Sequence, residues 1–189
     1  MRTISRVSLL LFVLARSAAG SPIEFSEVVR DYMGEGILYH RLVFNEDKRQ
    51  IFYQLPKGWR CAVTGKSLQL TPPNTSFAGA QIESIPLPAP QPITQAMAPA
   101  LTQQVVDALP PASQHVSVVK QEQNPILLNN NPSFEVLVSY SILGDTFERG
   151  VLFVNTPTNQ IVFKFTARKS EFDALYRAFR SSILTWEWQ

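Results

Sequence analysis

The sequence predicts an α+β fold, an α/β/α sandwich with a central, mainly antiparallel sheet of about six or seven strands. Short segments that alternate apolar and polar residues recur along the chain, separated by turn-forming residues. Two segments instead repeat apolar residues with helical spacing, one in the middle of the chain and one at its end. Both faces of the strands in the last third carry apolar residues, so we expect the sheet to be covered on both sides.

The first half of the mature chain predicts a series of short strands. Residues 21–36 are expected to form an N-terminal extension with a short helix or coil at 25–32, and 37–189 a single domain. A turn-like NEDK at 45–48 joins the first two strands into a hairpin. The predicted strands of this half share an alternating pattern and are 37–44, 51–55, 66–71 and 78–85.

A proline-rich loop at 86–92 separates these strands from the first helix. Its prolines stand at every second position, which is typical of an extended segment rather than a helix or central strand. A docking motif for a proline-reading domain is the alternative, but the flanking basic residues that it needs are absent. The helix at 98–109 follows, because Leu101, Val105 and Leu109 lie four residues apart on one stripe.

The last third predicts an antiparallel meander and a closing helix. Ser170 and Asp173 have the spacing of a capping box at the start of that helix. Trp186 and Trp188 follow it, and we expect both rings to pack back onto the domain, since exposed ones would form a sticky patch. The predicted strands of this region are 115–123, 134–141, 146–154 and a last one from residue 161, joined by turns at 143–145 and 155–159.

The first 20 residues have the pattern of a secretory signal peptide. Arg2 and Arg6 precede a nine-residue apolar run at 7–15, and small residues follow at 17–20. A cut before Ser21 fits best, and a cut before Gly20 fits nearly as well. The run is much shorter than the roughly 20 residues that span a bilayer. The sequence therefore predicts export to the periplasm or the medium, with no stable membrane insertion after cleavage.

Removal of the leader changes the charge of the chain. The whole chain has 17 basic and 15 acidic residues. Three of the basic ones, Arg2, Arg6 and Arg16, lie in the leader and none of the acidic ones does, so the mature chain carries a net charge of −1. A nearly neutral domain gives no indication of binding to nucleic acid or to an anionic membrane.

Few residues suggest chemistry. Cys61 is the one cysteine, so an internal disulfide and a lipid anchor at the cleavage point are excluded, and we expect a small buried apolar side chain. His40 and His115 have no second histidine at metal-ligand spacing. Glu135 and Glu148 are the candidate carboxylates. A polar cleft that joined two or more of these four would favour an enzyme or a metal site.

Several short motifs resemble the Mog1/PsbP-like superfamily, in which a strand leads into an "LPxGW" corner and a helix closes the domain. The resemblance covers most of 42–186 and implies the α/β/α sandwich of an exported bacterial member. That family includes a small-GTPase-binding nuclear protein, a photosystem subunit and envelope proteins, and it shares no catalytic residues. The motifs are FYQLPKGW at 52–59, SLQL at 67–70, AQI at 80–82, GVLF at 150–153, IVF at 161–163 and SSIL at 181–184.

These observations favour an exported, soluble accessory domain that binds another protein, whose identity the sequence does not indicate, rather than an enzyme. We expect no catalytic residues, no cofactor and no metal ion. Two alternatives stay open at this point: a carrier of a small ligand or metal, and a hydrolase with dispersed carboxylates.

Overall fold

The computed structural model describes residues 21–189, so the predicted leader at 1–20 and its Gly20 lie outside the described residues. The described part contains the following elements, in chain order: β1 (Val29–Gly34), β2 (Ile37–Glu46), β3 (Arg49–Tyr53), β4 (Arg60–Thr64), β5 (Ser67–Thr71), β6 (Gly79–Pro86), α1 (Ala98–Asp107), β7 (Gln114–Gln123), β8 (Ser133–Ile142), β9 (Asp145–Asn155), β10 (Asn159–Arg168), α2 (Lys169–Ile183) and β11 (Glu187–Trp188). Neither helix is long and apolar enough to cross a membrane.

The strands of residues 21–189 form two antiparallel sheets. The larger one has seven strands in the order β4-β5-β6-β10-β9-β8-β7, which confirms the predicted central sheet. The smaller one has four strands in the order β1-β2-β3-β11. The alternating pattern predicted most of these strands, but it does not show which sheet a strand joins, because that depends on distant partners.

One face of the large sheet packs against α1. Leu101 and Val105 of α1 contact apolar residues of β8, β9 and β10, among them Val136, Phe153 and Val162. Every one of these side chains is buried. The predicted stripe of 98–109 is therefore correct, although the helix itself ends at Asp107.

The other face packs against α2 and the small sheet, as the predicted sandwich requires. Phe172 and Phe179 of α2 lie on Phe165 of β10, with ring centroids 5.5 and 5.9 Å apart. Trp59, directly after the corner at 56–58, stacks on Phe179 at 6.3 Å. Trp186 is 4% exposed among the rings of the small sheet, so its predicted return to the domain is confirmed.

A buried carboxylate ties the two sheets together. Glu46, at the end of β2, is 1% exposed. One of its oxygens accepts hydrogen bonds from Thr158 and Asn159 in the β9–β10 turn, and the other accepts from Trp188 Nε1 at 2.8 Å and from Arg49. Trp188 was predicted to pack back onto the domain, and its ring nitrogen also donates a hydrogen bond to Glu46. The fold tolerates this buried carboxylate because both of its oxygens accept hydrogen bonds.

Two local predictions were wrong, and one strand was not predicted. Residues 29–34 form strand β1 rather than part of a short helix or coil at 25–32, and β1 pairs with β2. Strand β4 was not predicted, because Cys61, Ala62 and Val63 are three apolar residues in a row and interrupt the apolar–polar alternation. The capping box of Ser170 and Asp173 does not form: β10 runs directly into α2, so Ser170 already lies inside the first turn.

Candidate functional site

The structure keeps the predicted site residues apart. His40 lies exposed on β2, with its Nδ1 2.7 Å from Asp31 of β1. His115 is exposed at the start of β7. Glu148 is buried beneath α2, 3.5 Å from Lys169 Nζ. Within residues 21–189 no three His, Cys, Asp or Glu side chains stand together as metal ligands.

Cys61 lies half-buried on edge strand β4 and packs against the core formed by α2 and both sheets. Burial raises the pKa of its thiol, and the nearby charge of Glu27 raises that pKa further. The thiol therefore stays protonated and unreactive near neutral pH. Its placement agrees with the predicted role as a small packing residue.

Glu135 lies at the centre of a buried polar network under α2. It is 2% exposed, and Tyr176 donates a hydrogen bond from its hydroxyl to Glu135 Oε1 over 2.7 Å. Arg180 Nε lies 3.4 Å from the same oxygen, and Lys120 Nζ lies 3.6 Å from the other. Burial, and then the charge of Glu135, raises the pKa of Tyr176 well above its usual value. Tyr176 thus remains a donor at any ordinary pH.

A glycine makes the approach of Tyr176 possible. Gly150 of β9 lies directly under its ring, and a Cβ atom at this position would stand 2.4 Å from Tyr176 Cζ. The GVLF motif therefore begins with a glycine for a steric reason: any side chain would push α2 off the sheet. The sequence showed the glycine, but only the register of β9 under α2 explains it.

A cleft of about 440 Å³ opens beside this network, between α2 and residues 125–126. Tyr176 and Arg180 form part of its wall, together with Arg177 and Leu184. None of the four candidate residues His40, His115, Glu135 and Glu148 lines it. Because both oxygens of Glu135 are already paired, the network is best explained as the anchor of α2 on the sheet.

A second surface, which was not predicted from the sequence, is the projecting part of the β1–β2 hairpin. Strand β2 pairs with β3 only from Leu42 to Glu46, whereas it pairs with β1 from Ile37 to Leu42. Residues 29–41 therefore form a two-stranded ribbon that extends past β3. With 3.3 Å per residue, the five residues of β2 before Leu42 project by about 16 Å.

Apolar side chains cover this ribbon and are open to solvent. Val29, Tyr32, Met33 and Leu38 are between 49% and 64% exposed. We call these four residues the hairpin patch. Val29, Met33 and Leu38 share one face of the ribbon, and Tyr32 lies on the other. A two-stranded ribbon is marginally stable by itself, and side chains stabilise this one: the Arg41 guanidinium lies 4.4 Å from the centre of the Tyr32 ring.

The sequence did contain a signal for this hairpin. Glu35 and Gly36 separate the two paired strands, and both residues have positive φ, 52° and 80°. A two-residue loop with positive φ at both positions is the turn that best matches the twist of two strands. Asparagine or aspartate is the usual residue at the first position of such a loop, so Glu35 weakens the sequence signal for the turn.

No protein-family model matches the chain, and no curated protein matches it. Several solved structures match the chain in fold. The solution structure of cyanobacterial PsbP from Synechocystis sp. PCC 6803 matches with a TM-score of 0.52 and 12% identity, over 84% of this chain and 91% of that one.

The fold is PsbP-like.

Two further solved structures match this chain with lower TM-scores. A Bacteroides thetaiotaomicron protein matches at a TM-score of 0.46 and 15% identity, over 74% of this chain and 45% of that one. A Pseudomonas aeruginosa protein of unknown function matches at 0.45 and 13%, over 83% of this chain and 94% of that one. At these identities the likeness concerns the fold alone, and function must be argued from this chain's own surfaces.

Proposed function

We propose that this protein is an exported accessory domain, of the Mog1/PsbP-like kind, that binds another protein through the hairpin patch. The patch is the observation that supports this proposal. Val29, Tyr32, Met33 and Leu38 expose apolar area on a ribbon that carries no core of its own. Met33 and Leu38 pair directly across the two strands, so they share one face of the ribbon with Val29, and exposed apolar residues grouped in this way are typical of interaction sites.

The composition of the patch also supports a protein partner. Tyrosine, methionine and arginine are enriched in the cores of protein interfaces, and Tyr32, Met33 and Arg41 stand within one hairpin. Arg41 is held in place over Tyr32 and by Glu187, whose Oε2 lies 3.1 Å from its Nη1. Such a preordered pair loses little side-chain entropy when a partner binds.

A pull-down with matched variants tests the binding role. The tagged mature domain would be isolated from the envelope of its source organism, beside a Tyr32→Ser/Met33→Ser/Leu38→Ser variant. A Leu143→Ser/Leu184→Ser variant is the control, because Leu143 and Leu184 are at least as exposed but lie elsewhere. We expect one stoichiometric protein with the wild type and the control, and its loss with the hairpin variant.

Two results would contradict this proposal. One is retention of the partner by the hairpin variant, and the other is the absence of a stoichiometric protein in the wild-type sample. Circular dichroism of all three domains is recorded, so that loss of binding can be separated from loss of folding.

Export by the leader is part of the same proposal. The place of Ser21 supports a cut near residue 20: its carbonyl accepts a hydrogen bond from Asn159 Nδ2 at 3.0 Å, and Ile23 is 2% exposed in the core. The chain is thus anchored directly after the proposed cleavage site. Intact-mass measurement of the exported protein should show a first residue of Ser21 or Gly20.

A charge in the apolar run tests the leader. Leu11→Arg should leave an uncleaved chain inside the cell, because it interrupts the apolar segment that a signal peptide needs. Ser8→Ala is the matched control and should be exported normally. Export of the Leu11→Arg chain would overturn this part of the proposal.

A further inference from the structure

The face of the large sheet that carries α1 is only partly covered. A ten-residue helix is about 15 Å long, whereas seven strands span roughly 34 Å across a sheet. Helix α1 packs over β8, β9 and β10 and leaves β5 and β6 open on this side. Polar side chains occupy the open part. Gln69, Gln81 and Lys164 stand in one row across β5, β6 and β10, because Gln81 pairs with both of the others.

A groove of about 380 Å³ lies over this row, and we call it the sheet groove. Ala108 at the end of α1 and Phe77 in the β5–β6 connection form its walls. A smaller recess of about 50 Å³, which includes Gln104, continues from it beneath α1. The groove has the size of a site for a small molecule, and its floor is mainly polar.

Arg149 supplies a fixed cation to the sheet groove. Its Nε donates to Thr166 Oγ1 over 2.9 Å, and its Nη1 donates to the Ala108 carbonyl oxygen over 2.8 Å. These bonds use two of the five guanidinium N–H groups and hold the side chain in one orientation. Within residues 21–189, no carboxylate oxygen lies within 4.0 Å of this guanidinium. Tyr140 lies beside the guanidinium, with its ring centre 5.9 Å from Cζ, and the donors that Thr166 and Ala108 do not use are available to an anion.

The rest of the floor is electrically neutral and able to form hydrogen bonds. Lys164 Nζ is paired with Glu83 at 2.6 Å, so the groove keeps one net positive charge, from Arg149. The amide groups of Gln69 and Gln81 are half-buried. Neither forms a hydrogen bond to another group in the described part of the chain. An amide offers both a donor and an acceptor, which suits hydroxyl groups.

We propose that the sheet groove binds a small hydroxylated carboxylate, such as a sugar acid. The carboxylate pairs with Arg149, and the hydroxyl groups bond to Gln69 and Gln81. A guanidinium with fixed geometry favours a carboxylate, since two parallel N–H groups can reach its two oxygens. This inference rests on a different surface from the hairpin patch and does not depend on the protein-binding role.

A titration followed by NMR tests the proposal directly. The ¹⁵N-labelled mature domain receives glucuronate, glucose or acetate in separate experiments. Glucose has the hydroxyl groups without the carboxylate, and acetate has the carboxylate without the hydroxyl groups. We expect glucuronate to shift the Arg149 Nε–H signal and the side-chain amide signals of Gln69 and Gln81, with saturation. Its affinity should exceed that of either other compound roughly tenfold, because only glucuronate uses both parts of the site.

Variants connect the shifts to the groove. Arg149→Gln should weaken glucuronate binding roughly tenfold or more, as expected for loss of a charged hydrogen bond. Arg30→Gln is the control, because Arg30 is an exposed arginine of the small sheet that is also bonded to an uncharged side chain, that of Gln50. Gln81→Leu is a second variant that keeps the link from Arg149 to α1, and it should weaken binding several-fold.

Three outcomes would overturn the proposal. The first is the absence of saturation with glucuronate, and the second is equal binding of glucuronate and glucose. The third is an acetate response equal to that of glucuronate without movement of the glutamine signals, which would indicate a general anion contact. These titrations use the isolated domain, so their result does not depend on whether the hairpin patch binds a protein.

Discussion

The two faces of the seven-stranded sheet are built differently. On one face, α2 and the small sheet cover the strands with aromatic rings, among them Trp59, Phe165, Phe172 and Phe179. On the other face, the shorter α1 covers one half, and the remaining half carries Gln69, Gln81 and Lys164. Packing on the first face contributes more to the free energy of unfolding, whereas the second face leaves a groove that a ligand could occupy.

The polar groups on the two faces differ in the same way. Beneath α2, both oxygens of Glu135 are satisfied by Tyr176, Arg180 and Lys120. In the sheet groove, Arg149 keeps free donors and two glutamines have open amides. A buried polar group needs a hydrogen-bond partner within the protein. A half-exposed polar group does not, because water can bond to it until a ligand displaces the water. The following predictions test this contrast, from the largest expected effect to the smallest.

Truncation of one core residue on each face should give unequal losses. Phe179→Ala is expected to lower the free energy of unfolding by about 4 kcal/mol, because its ring is fully buried between Trp59 and Phe165. Leu101→Ala beneath α1 should cost about 2 kcal/mol, near the low end for leucine, since α1 can settle toward the open half. Urea unfolding measures both. Equal losses would show that the two faces are packed alike.

Two glycines offer a steric test of the same contrast. Gly150→Ala should cost about 2–3 kcal/mol, because the new Cβ meets the rigid Tyr176 ring at 2.4 Å. Gly79→Ala is the control: it lies on the face of the sheet groove, where a Cβ would find Leu70 O at an ordinary 3.6 Å. Its effect should stay within about 0.5 kcal/mol. Thermal unfolding at neutral pH gives both values, and a tolerated Gly150→Ala would contradict the close contact.

Alkaline pH should destabilise the domain through tyrosines that are buried at the α2 face. Burial raises the pKa of Tyr53 and of Tyr176 above the value near 10 of an unfolded chain. Above pH 10 the unfolded chain loses these protons while the folded one keeps them, so stability is complete below pH 10 and decreases as the pH rises. The expected slope is about 1.4 kcal/mol per pH unit for each tyrosine.

Phenylalanine variants resolve the contribution of each tyrosine. Tyr176→Phe should reduce the loss of unfolding free energy between pH 10 and pH 11 by about 1 kcal/mol, because an unfolded tyrosine is only partly ionised in this range. Urea titrations at several pH values measure this loss. Tyr32→Phe is the matched control, because it removes a tyrosine hydroxyl from the exposed hairpin rather than from the α2 face. An unchanged slope for Tyr176→Phe would mean that its hydroxyl is not held in the neutral form.

The smallest effect is expected for the ion pair on the floor of the sheet groove. Lys164→Met should change the free energy of unfolding by less than about 1 kcal/mol, because both side chains of the pair with Glu83 are partly exposed to water, 33% and 27%. Met is long enough to retain the apolar contacts of the lysine stem. A loss well above this limit would mean that the open half of the sheet contributes to stability as the covered half does.

The sequence predicted regular elements well but did not show which side chains the fold brings together, for one physical reason. The alternation at 134–141 and the stripe of Leu101 and Val105 are local patterns that a strand or helix imposes on its own residues. The error at Ser170 was also local, because the capping-box pattern does not show that β10 continues directly into α2. The sheet groove could not be predicted, since Gln69, Gln81 and Lys164 are neighbours only through the pairing of distant strands.

By itself, the sequence determined that strands would alternate with two amphipathic helices and that one cysteine could form no internal disulfide. Only the tertiary structure decided that β1 and β2 project from the small sheet, and that a short α1 leaves half of a sheet face open. Local patterns follow from the geometry of one element, whereas exposure and proximity depend on which distant elements pack together and how much area each of them covers.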